Sequence, residues 1–262
     1  METDQGPVSY AADAAVATIT MTTPALGLAA KQALLGAVQR AAADEDIRAV
    51  VVTGTGRVFT AGQDLGEHAA ALAESGAGAF DTIEAHYNPV ITGLATMPKP
   101  VIAAINGTCA GAGLGLALAC DLRIAAAGVR FTTAFTGIGL TPDSGLSASL
   151  SRALGTARAS ELILLAEPFT AEDALGWGLV GRVVPAPDLP AAASELAARL
   201  AAGPTRAYAT AKRAIREAWA APWPDVLAAE SRDQTALGGT RDHGNAVAAF
   251  LAKRRPEFTG RD

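Results

Sequence analysis

Short apolar runs, closed off by glycine, proline or acidic residues, recur along this chain as far as Gly203 and then stop. Val101–Ile105 follows the breakers Pro98 and Pro100, Leu122–Ala127 follows Cys120-Asp121, and Arg48–Val52 follows an acidic turn. Runs this short and this uniformly apolar read as buried strands. Ala14–Met21, where Val16, Thr18 and Thr20 alternate with small apolar residues, reads as another, and Gly181–Val184 as a last short one. Between them the apolar spacing turns helical. Ala29–Ala43 carries Leu34, Leu35 and Val38, while Phe80–Thr96 carries Ile83, Tyr87, Val90, Ile91 and Leu94 and must bend at Pro89. Ser144–Leu154, Thr156–Ala166, Thr170–Trp177 and Asp188–Ala202 are further helices, with Thr170 and Asp173 spaced as a capping box. Glu67–Gly78, rich in alanine and glycine, has only a weak pattern and suggests an irregular helix. Strands alternating with helices predict an α/β fold.

Beyond Gly203-Pro204 only helices remain: Thr205–Ala220, Asp225–Leu237 and Arg241–Arg255. The first carries Tyr208, Ala211, Ile215 and Trp219 on one face. No strand is left for these helices to cover, so their apolar faces need either the main body or another subunit. The chain divides accordingly into a core, 1–202, and a helical region, 203–262.

At 262 residues, half of them apolar, the chain can bury a large core. No apolar run reaches the roughly 18 residues needed to span a bilayer, and the polar start METDQGP carries no signal peptide. A net charge of −5 argues against nucleic acid as a partner. Cys109 and Cys120 both lie in apolar sequence and suggest neither a disulfide framework nor a metal site. A reduced cytoplasmic setting is the expectation.

Chemistry enters with the glycines. After Val101–Ile105, Asn106-Gly107 turns the chain, Gly111, Gly113 and Gly115 fall at alternate positions, and Leu114, Leu116 and Leu118 continue as a helix. Glycine lets backbone approach a ligand, and the first turn of a helix offers unpaired N–H groups. That combination can hold an anion or a developing oxyanion. No Lys-Ser/Thr follows the glycines, and their spacing is wrong for a dinucleotide fingerprint. Tight helix–strand packing alone would also explain them. A second strand, Arg48–Val52, leads into Phe59-Thr-Ala-Gly-Gln-Asp-Leu65, another small-residue turn.

The two stretches Phe59–Leu65 (FTAGQDL) and Ile105–Ala125 (INGTCAGAGLGLALACDLRIA), with the closing Phe250–Phe258, resemble the crotonase, or enoyl-CoA hydratase/isomerase, superfamily. The resemblance implies a spiral of ββα units, followed by helices that build a homotrimer or a hexamer of two trimers. It implies an acyl-CoA thioester as substrate, with no separate cofactor. It assigns the oxyanion N–H groups to Ala61 and Ala112, and substrate or CoA contacts to Ala25, Leu26, Leu28, Gln63, Asp64, Leu65, Gly111 and Pro142, with Lys253 and Phe258 reaching the CoA from a neighbouring subunit. Asp64 is expected to shape its loop rather than move protons. Arg57 and the run Lys253–Arg255 are further candidates for the CoA phosphates, and the region holding His68, Glu84 and His86 is expected over the acyl end, with those three read as solvated.

The catalytic side chains depart from the hydratase pattern. Hydratases of the superfamily use two glutamates, and Gly115 and Phe135 stand in their places. Neither moves a proton, so ordinary hydration is not expected. Asp143 lies where isomerases of the superfamily carry a carboxylate, and where the related 4-chlorobenzoyl-CoA dehalogenases carry a nucleophile. One carboxylate suffices to carry a proton from one carbon to another, so double-bond isomerisation is the expected reaction. Asp143 also precedes a helix, where an Asp commonly serves only as N-cap. Two other functions remain open: a hydratase or hydrolase drawing a carboxylate from Glu67–Glu84, and an acyl-CoA binding protein without turnover.

Overall fold

The computed structural model describes residues 6–261. Residues 1–5, most of the polar start read above, lie outside the described residues, as does Asp262. The chain opens with a hairpin, β1 (Val8–Asp13) and β2 (Val16–Met21), and continues through α1 (Leu28–Ala43), β3 (Ala49–Gly54) and β4 (Val58–Thr60). Next come α2 (Leu65–Ser75), α3 (Asn88–Thr96), β5 (Val101–Ile105), β6 (Thr108–Ala110) and α4 (Ala112–Ala119). Then follow β7 (Leu122–Ala126), β8 (Arg130–Thr132), α5 (Leu146–Leu165), β9 (Phe169–Thr170), α6 (Ala171–Gly176), β10 (Arg182–Val184) and α7 (Leu189–Ala201). Three helices close the described chain: α8 (Thr205–Glu217), α9 (Trp223–Gly238) and α10 (Arg241–Leu251).

Two sheets emerge, one in the order β1-β2-β3-β5-β7-β10 and a smaller one in the order β4-β6-β8-β9. Each of the strand pairs β3/β4, β5/β6 and β7/β8 sends its first member to the large sheet and its second to the small one. Each turn of chain therefore advances by one strand in both sheets, which is the ββα spiral. The repeat is invisible in the sequence because its second strands have three residues each, too few for a period to show. Asn106 ties successive turns: its Oδ1 accepts from the Gly54 N–H at 2.9 Å, and its Nδ2 donates to the carbonyls of Gly56 and Val58, both at 3.1 Å.

Val50, Val52, Val101, Ile102 and Ile105 are fully buried in β3 and β5, the strands against which α7 packs. Each such side chain contributes about 1.5–3 kcal/mol of hydrophobic stabilisation. Four elements differ from the sequence expectation. β1 was not anticipated, and residues 14–15 turn rather than extend, with φ of 44° at Ala14 and 66° at Ala15. Such a hairpin turn normally advertises itself with Asn or Gly, and alanines give no such signal. A π-helical turn, Ile83–Tyr87, precedes α3 and seats Pro89 in its first turn, where no N–H is needed. The expected bend is met there rather than inside a helix. Ser144–Leu154 and Thr156–Ala166 run on as α5, broken at Gly155, and α10 stops at Leu251 instead of Arg255.

The last three helices attach to the core largely through cations. Lys212 pairs with Asp121 at 2.8 Å and donates to the Leu94 carbonyl, and Arg216 donates to the Ala95 carbonyl. From the core side, Arg48 donates to Thr205 Oγ1 and to the carbonyls of Gly203 and Phe258. Their large apolar side chains stay outside: Ile215, Trp219, Trp223, Phe250 and Leu251 are all exposed, Phe250 at 80%. No described helix is long and apolar enough to cross a membrane.

Candidate active site

The site is built first from main chain. α4 begins at Gly111, whose φ of 53° and ψ of −124° belong to glycine alone. Its own N–H donates to the Thr132 carbonyl at 3.1 Å, and its carbonyl accepts from Leu114 and Gly115. The N–H of Ala112, next in line, has no acceptor among the described residues, as the first N–H groups of a helix commonly lack one. Across from it runs the turn after β4. A Cβ on Gly62 would stand 3.1 Å from the Ala112 nitrogen, and one on Gly113 only 2.5 Å from the Thr60 carbonyl oxygen. The small residues of both stretches are therefore what allows the two turns to face each other.

The partner N–H is not the expected one. Ala61 donates its N–H to the Pro24 carbonyl at 2.7 Å, so it has nothing to offer a substrate. The Gly62 N–H is taken by Thr60 Oγ1 at 3.2 Å. Gln63 sits opposite Leu26 in an isolated parallel bridge: Leu26 donates to the Gly62 carbonyl at 2.7 Å, and Asp64 donates to the Leu26 carbonyl at 3.3 Å. That pattern turns the Gln63 N–H away from Leu26, toward the side on which β4 pairs with β6 and α4 begins. No described residue accepts from it. The available pair of donors is Gln63 and Ala112, two positions away from the expected Ala61. Only the bridge to Leu26, distant in sequence, reveals this.

The opposite wall is where the hydratase glutamates would stand. A Cβ on Gly115 would fall 2.6 Å from Ser144 Cβ and 2.8 Å from its carbonyl oxygen, so the 140s loop occupies that space. Phe135 is buried at 8% exposure, its ring 3.9 Å from where a Gly111 Cβ would lie. Ser144 is itself buried, with φ of 53°, and next to it stands Asp143. The capping role considered for Asp143 is not realised. The N-cap of α5 is Gly145, without a side-chain cap, and the Asp143 side chain accepts only from Ser144 Oγ at 2.7 Å. Burial raises the Asp143 carboxyl above the usual aspartate range, and the Ser144 hydroxyl offsets part of that.

A third wall holds two polar residues that sequence reasoning did not assign to the site. Tyr87 and Lys31, each 3% exposed, both donate to Gln63 Oε1, at 2.9 and 3.2 Å. Lys31 also pairs with Glu67 at 3.3 Å, and Glu67 Oε2 accepts from the Leu28 N–H at 2.7 Å. Burial and the negative charges of Asp143 and Glu67 push the Tyr87 phenol well above its ordinary range, so it stays protonated. Beside them opens a cavity of about 360 Å³, lined by Leu28, Lys31, Gln63, Glu67, His68 and His86 among others. His68 stands edge-on to Phe80 and His86 shares a hydrogen bond with Thr82, while Glu84 is exposed.

Known proteins resemble this chain over nearly its whole length. The family model for enoyl-CoA hydratase/isomerase matches residues 11–261. The chain belongs to that family. It is 42% identical over 258 residues to a Rhodobacter capsulatus protein described as a probable enoyl-CoA hydratase, covering 97% of this chain and 98% of that one. It is 41% identical over 218 residues to the 1,2-epoxyphenylacetyl-CoA isomerase of Escherichia coli, covering 83% of each. A Mycobacterium abscessus crystal structure assigned to enoyl-CoA hydratase/isomerase superposes with a TM-score of 0.94 at 47% identity, covering 97% of this chain and 100% of that one.

The remaining CoA contacts expected from family membership divide into two groups. Leu28 is exposed and lines the cavity, Leu65 is exposed at the start of α2, and Ala25 and Pro142 are half-buried. Asp64 caps α2 through the Glu67 N–H at 3.0 Å, the loop-shaping part expected of it. Leu26 is fully buried, so its side chain has no surface to offer a ligand. Lys253 and Phe258 are not gathered with the two turns. Lys253 is exposed just beyond α10, and Phe258 lines a different cavity with Pro204, Arg206 and His243. Arg57 is exposed in the turn before β4.

Proposed function

We propose that this chain shifts a double bond along the acyl group of a CoA thioester. Asp143 carries the proton, and the N–H groups of Gln63 and Ala112 hold the thioester oxygen while it bears negative charge. One observation carries the reading: the Ser144 backbone fills the space of one hydratase glutamate, Phe135 stands at the position of the other, and the half-buried carboxyl of Asp143 adjoins that Ser144.

The chemistry then runs without a second acid. As carboxylate, Asp143 takes a proton from C2 of a 3-enoyl thioester, and the electron pair moves through C1 onto the thioester oxygen. The resulting dienolate is stabilised by two backbone donors, each worth about 3–4 kcal/mol. Return of a proton to C4 from this carboxyl, which exchanges with solvent while the dienolate lasts, moves the double bond from C3–C4 to C2–C3 and frees the carboxylate. Partial burial serves both halves of this cycle, because it raises the carboxyl toward the pH at which it must accept and give back a proton. The step draws on no cofactor beyond the CoA ester.

The isomerase at 41% identity supports this reading, and the hydratase description at 42% names the competitor. Hydration needs a group that activates water, and Glu67, the nearest alternative, already has both oxygens engaged by Lys31 and Leu28. NMR in D2O with a panel of 3-enoyl- and 2-enoyl-CoA esters tests the choice. Deuterium at C2 and C4 together with double-bond migration is expected. Rapid formation of 3-hydroxyacyl-CoA from crotonyl-CoA would replace this reading with hydration, and tight binding without exchange would replace it with a non-catalytic binder. The exposed Trp219, Trp223 and Phe250, with Leu164 at 70% and Leu165 at 60%, support assembly as a trimer or a dimer of trimers. Sedimentation of a stable monomer at micromolar concentration would overturn that assembly.

A further inference from the structure

Gln63 is the meeting point of three elements. Its Oε1 accepts from Tyr87 in the π-helical turn before α3 and from Lys31 on α1, and its Nε2 donates to the Asp64 carbonyl at 3.3 Å, just ahead of α2. Two of the most deeply buried polar side chains in this half of the molecule thus converge on one amide oxygen. Buried donors need acceptors, but that alone does not require them to share one. The shared acceptor belongs to the residue whose backbone N–H faces α4.

The peptide joining Gly62 to Gln63 carries both a carbonyl bonded to Leu26 and the N–H turned the other way. One hydrogen bond at the carbonyl leaves this plane free to tilt, and Gly62, at φ of 83°, sets no steric limit of its own. A second anchor removes the tilt. We infer that Tyr87 and Lys31 are positioning residues, which hold the Gln63 side chain and so aim the Gln63 backbone N–H at the thioester oxygen. The inference rests on the reading of Gln63 as an oxyanion donor. Neither side chain needs to touch substrate. The phenol suits this task because burial and the nearby carboxylates keep it protonated, and hence a donor, across the working pH range. Lys31 donates to the same Gln63 oxygen and is held in turn by Glu67 at 3.3 Å.

The test uses Tyr87→Phe, which removes one oxygen and no packing volume, together with Gln63→Leu, Gln63→Glu and the double variant Tyr87→Phe/Gln63→Leu. Two readouts apply: the carbonyl stretch of bound acyl-CoA labelled with 13C at C1, by difference infrared, and kcat and KM on a 3-enoyl-CoA. Wild type is expected to shift the carbonyl band to lower frequency on binding, as strong donors do. Tyr87→Phe is expected to return part of that shift and lower kcat about tenfold, the scale of a misaimed rather than a missing donor, with KM little changed. Gln63→Glu, which keeps an oxygen for both donors, is expected to restore more of the band shift than Gln63→Leu. The double variant should be no worse than Gln63→Leu alone, because Tyr87 acts through that side chain. Additive losses in the double variant would mean that Tyr87 acts on substrate directly, and would overturn the inference. So would a Tyr87→Phe enzyme with wild-type band and kcat. If wild type itself shows no carbonyl shift, the reading of Gln63 as donor fails; if it does and only Tyr87→Phe is silent, the clamp fails and that reading stands.

Discussion

α4 and α2 each follow a short strand of the small sheet, and the chain at the head of each leaves one backbone N–H, that of Ala112 and that of Gln63, without an acceptor among the described residues. Their surroundings are opposite. Ala112–Ala117 are all buried in α4, whereas no residue of α2 is. α4 presses on the Thr60 carbonyl through Gly113 and on Ser144 through Gly115, so its position is determined to a fraction of an ångström. α2 is held near its N-terminus, by the Asp64 cap and by Glu67 reaching Lys31 and Leu28, and borders the cavity with Glu67, His68 and Ala71. In the proposed reaction, the demand common to acyl-CoA thioesters, a place for charge on the carbonyl oxygen, would be met by packed main chain. Room for a particular acyl group would then fall to a helix that can change without disturbing the core.

The largest effect should come from the wall that α4 supports. Asp143→Asn is expected to lower isomerisation and C2 proton exchange by about 10²-fold or more, the ordinary loss of a general base. It should also raise stability at neutral pH. A carboxyl whose folded-state pKa is raised contributes fully below its ordinary value of about 3.9, and that contribution is lost as pH rises through the folded value. The Asn variant avoids this loss, so urea unfolding should show a gain at pH 7 that vanishes in acid. Because Asp143 does not cap α5, Asp143→Ala should lack the helix-capping penalty that its position before a helix suggests.

Gly115→Glu comes next and probes the packed side of the contrast directly. The new Cβ meets Ser144 at 2.6 Å, so a loss of about 1–3 kcal/mol from overpacking is expected, without hydratase activity. A stable, hydrating Gly115→Glu enzyme would break the contrast. On the loose side, Glu67→Gln removes an ion pair whose carboxylate is 41% exposed. It should cost at most about 1 kcal/mol, while amide exchange quickens in α2 and stays slow in α4. The smallest change is expected for Leu72→Ala, at a residue of α2 already 41% exposed. Stability, read by urea unfolding, should move by no more than about 0.5 kcal/mol.

Much of this architecture is local and was legible for that reason. Val101–Ile105 reads as a strand from five apolar residues between breakers and is one, fully buried. Thr170 and Asp173 read as a capping box and form it, the Asp173 N–H donating to Thr170 Oγ1 at 3.0 Å. The alternate glycines after Asn106 marked a place of close backbone approach, and the absence of glutamate at 115 and 135 was plain in the sequence. Each of these depends on residues within a turn or two of one another.

What the sequence alone determined, then, is the material of the site: two small-residue turns, a helix that starts on glycine, and one aspartate where two glutamates are absent. The tertiary structure decided how that material is used. Whether Ala61 or Gln63 offers its N–H depends on which carbonyls lie beside them, and Pro24 and Leu26 are brought there by the chain entering α1. Whether Asp143 caps α5 depends on the left-handed turn at Ser144 and Gly145, which carries its carboxyl past the helix end. Gln63, Tyr87 and Lys31 share hydrogen bonds across separations of 24 and 32 residues. A hydrogen bond is directional and lost within an ångström or so, and hydrophobic pattern does not carry that precision. Periodicity can place an element on the correct face of a sheet; only the packed chain decides which donor meets which acceptor.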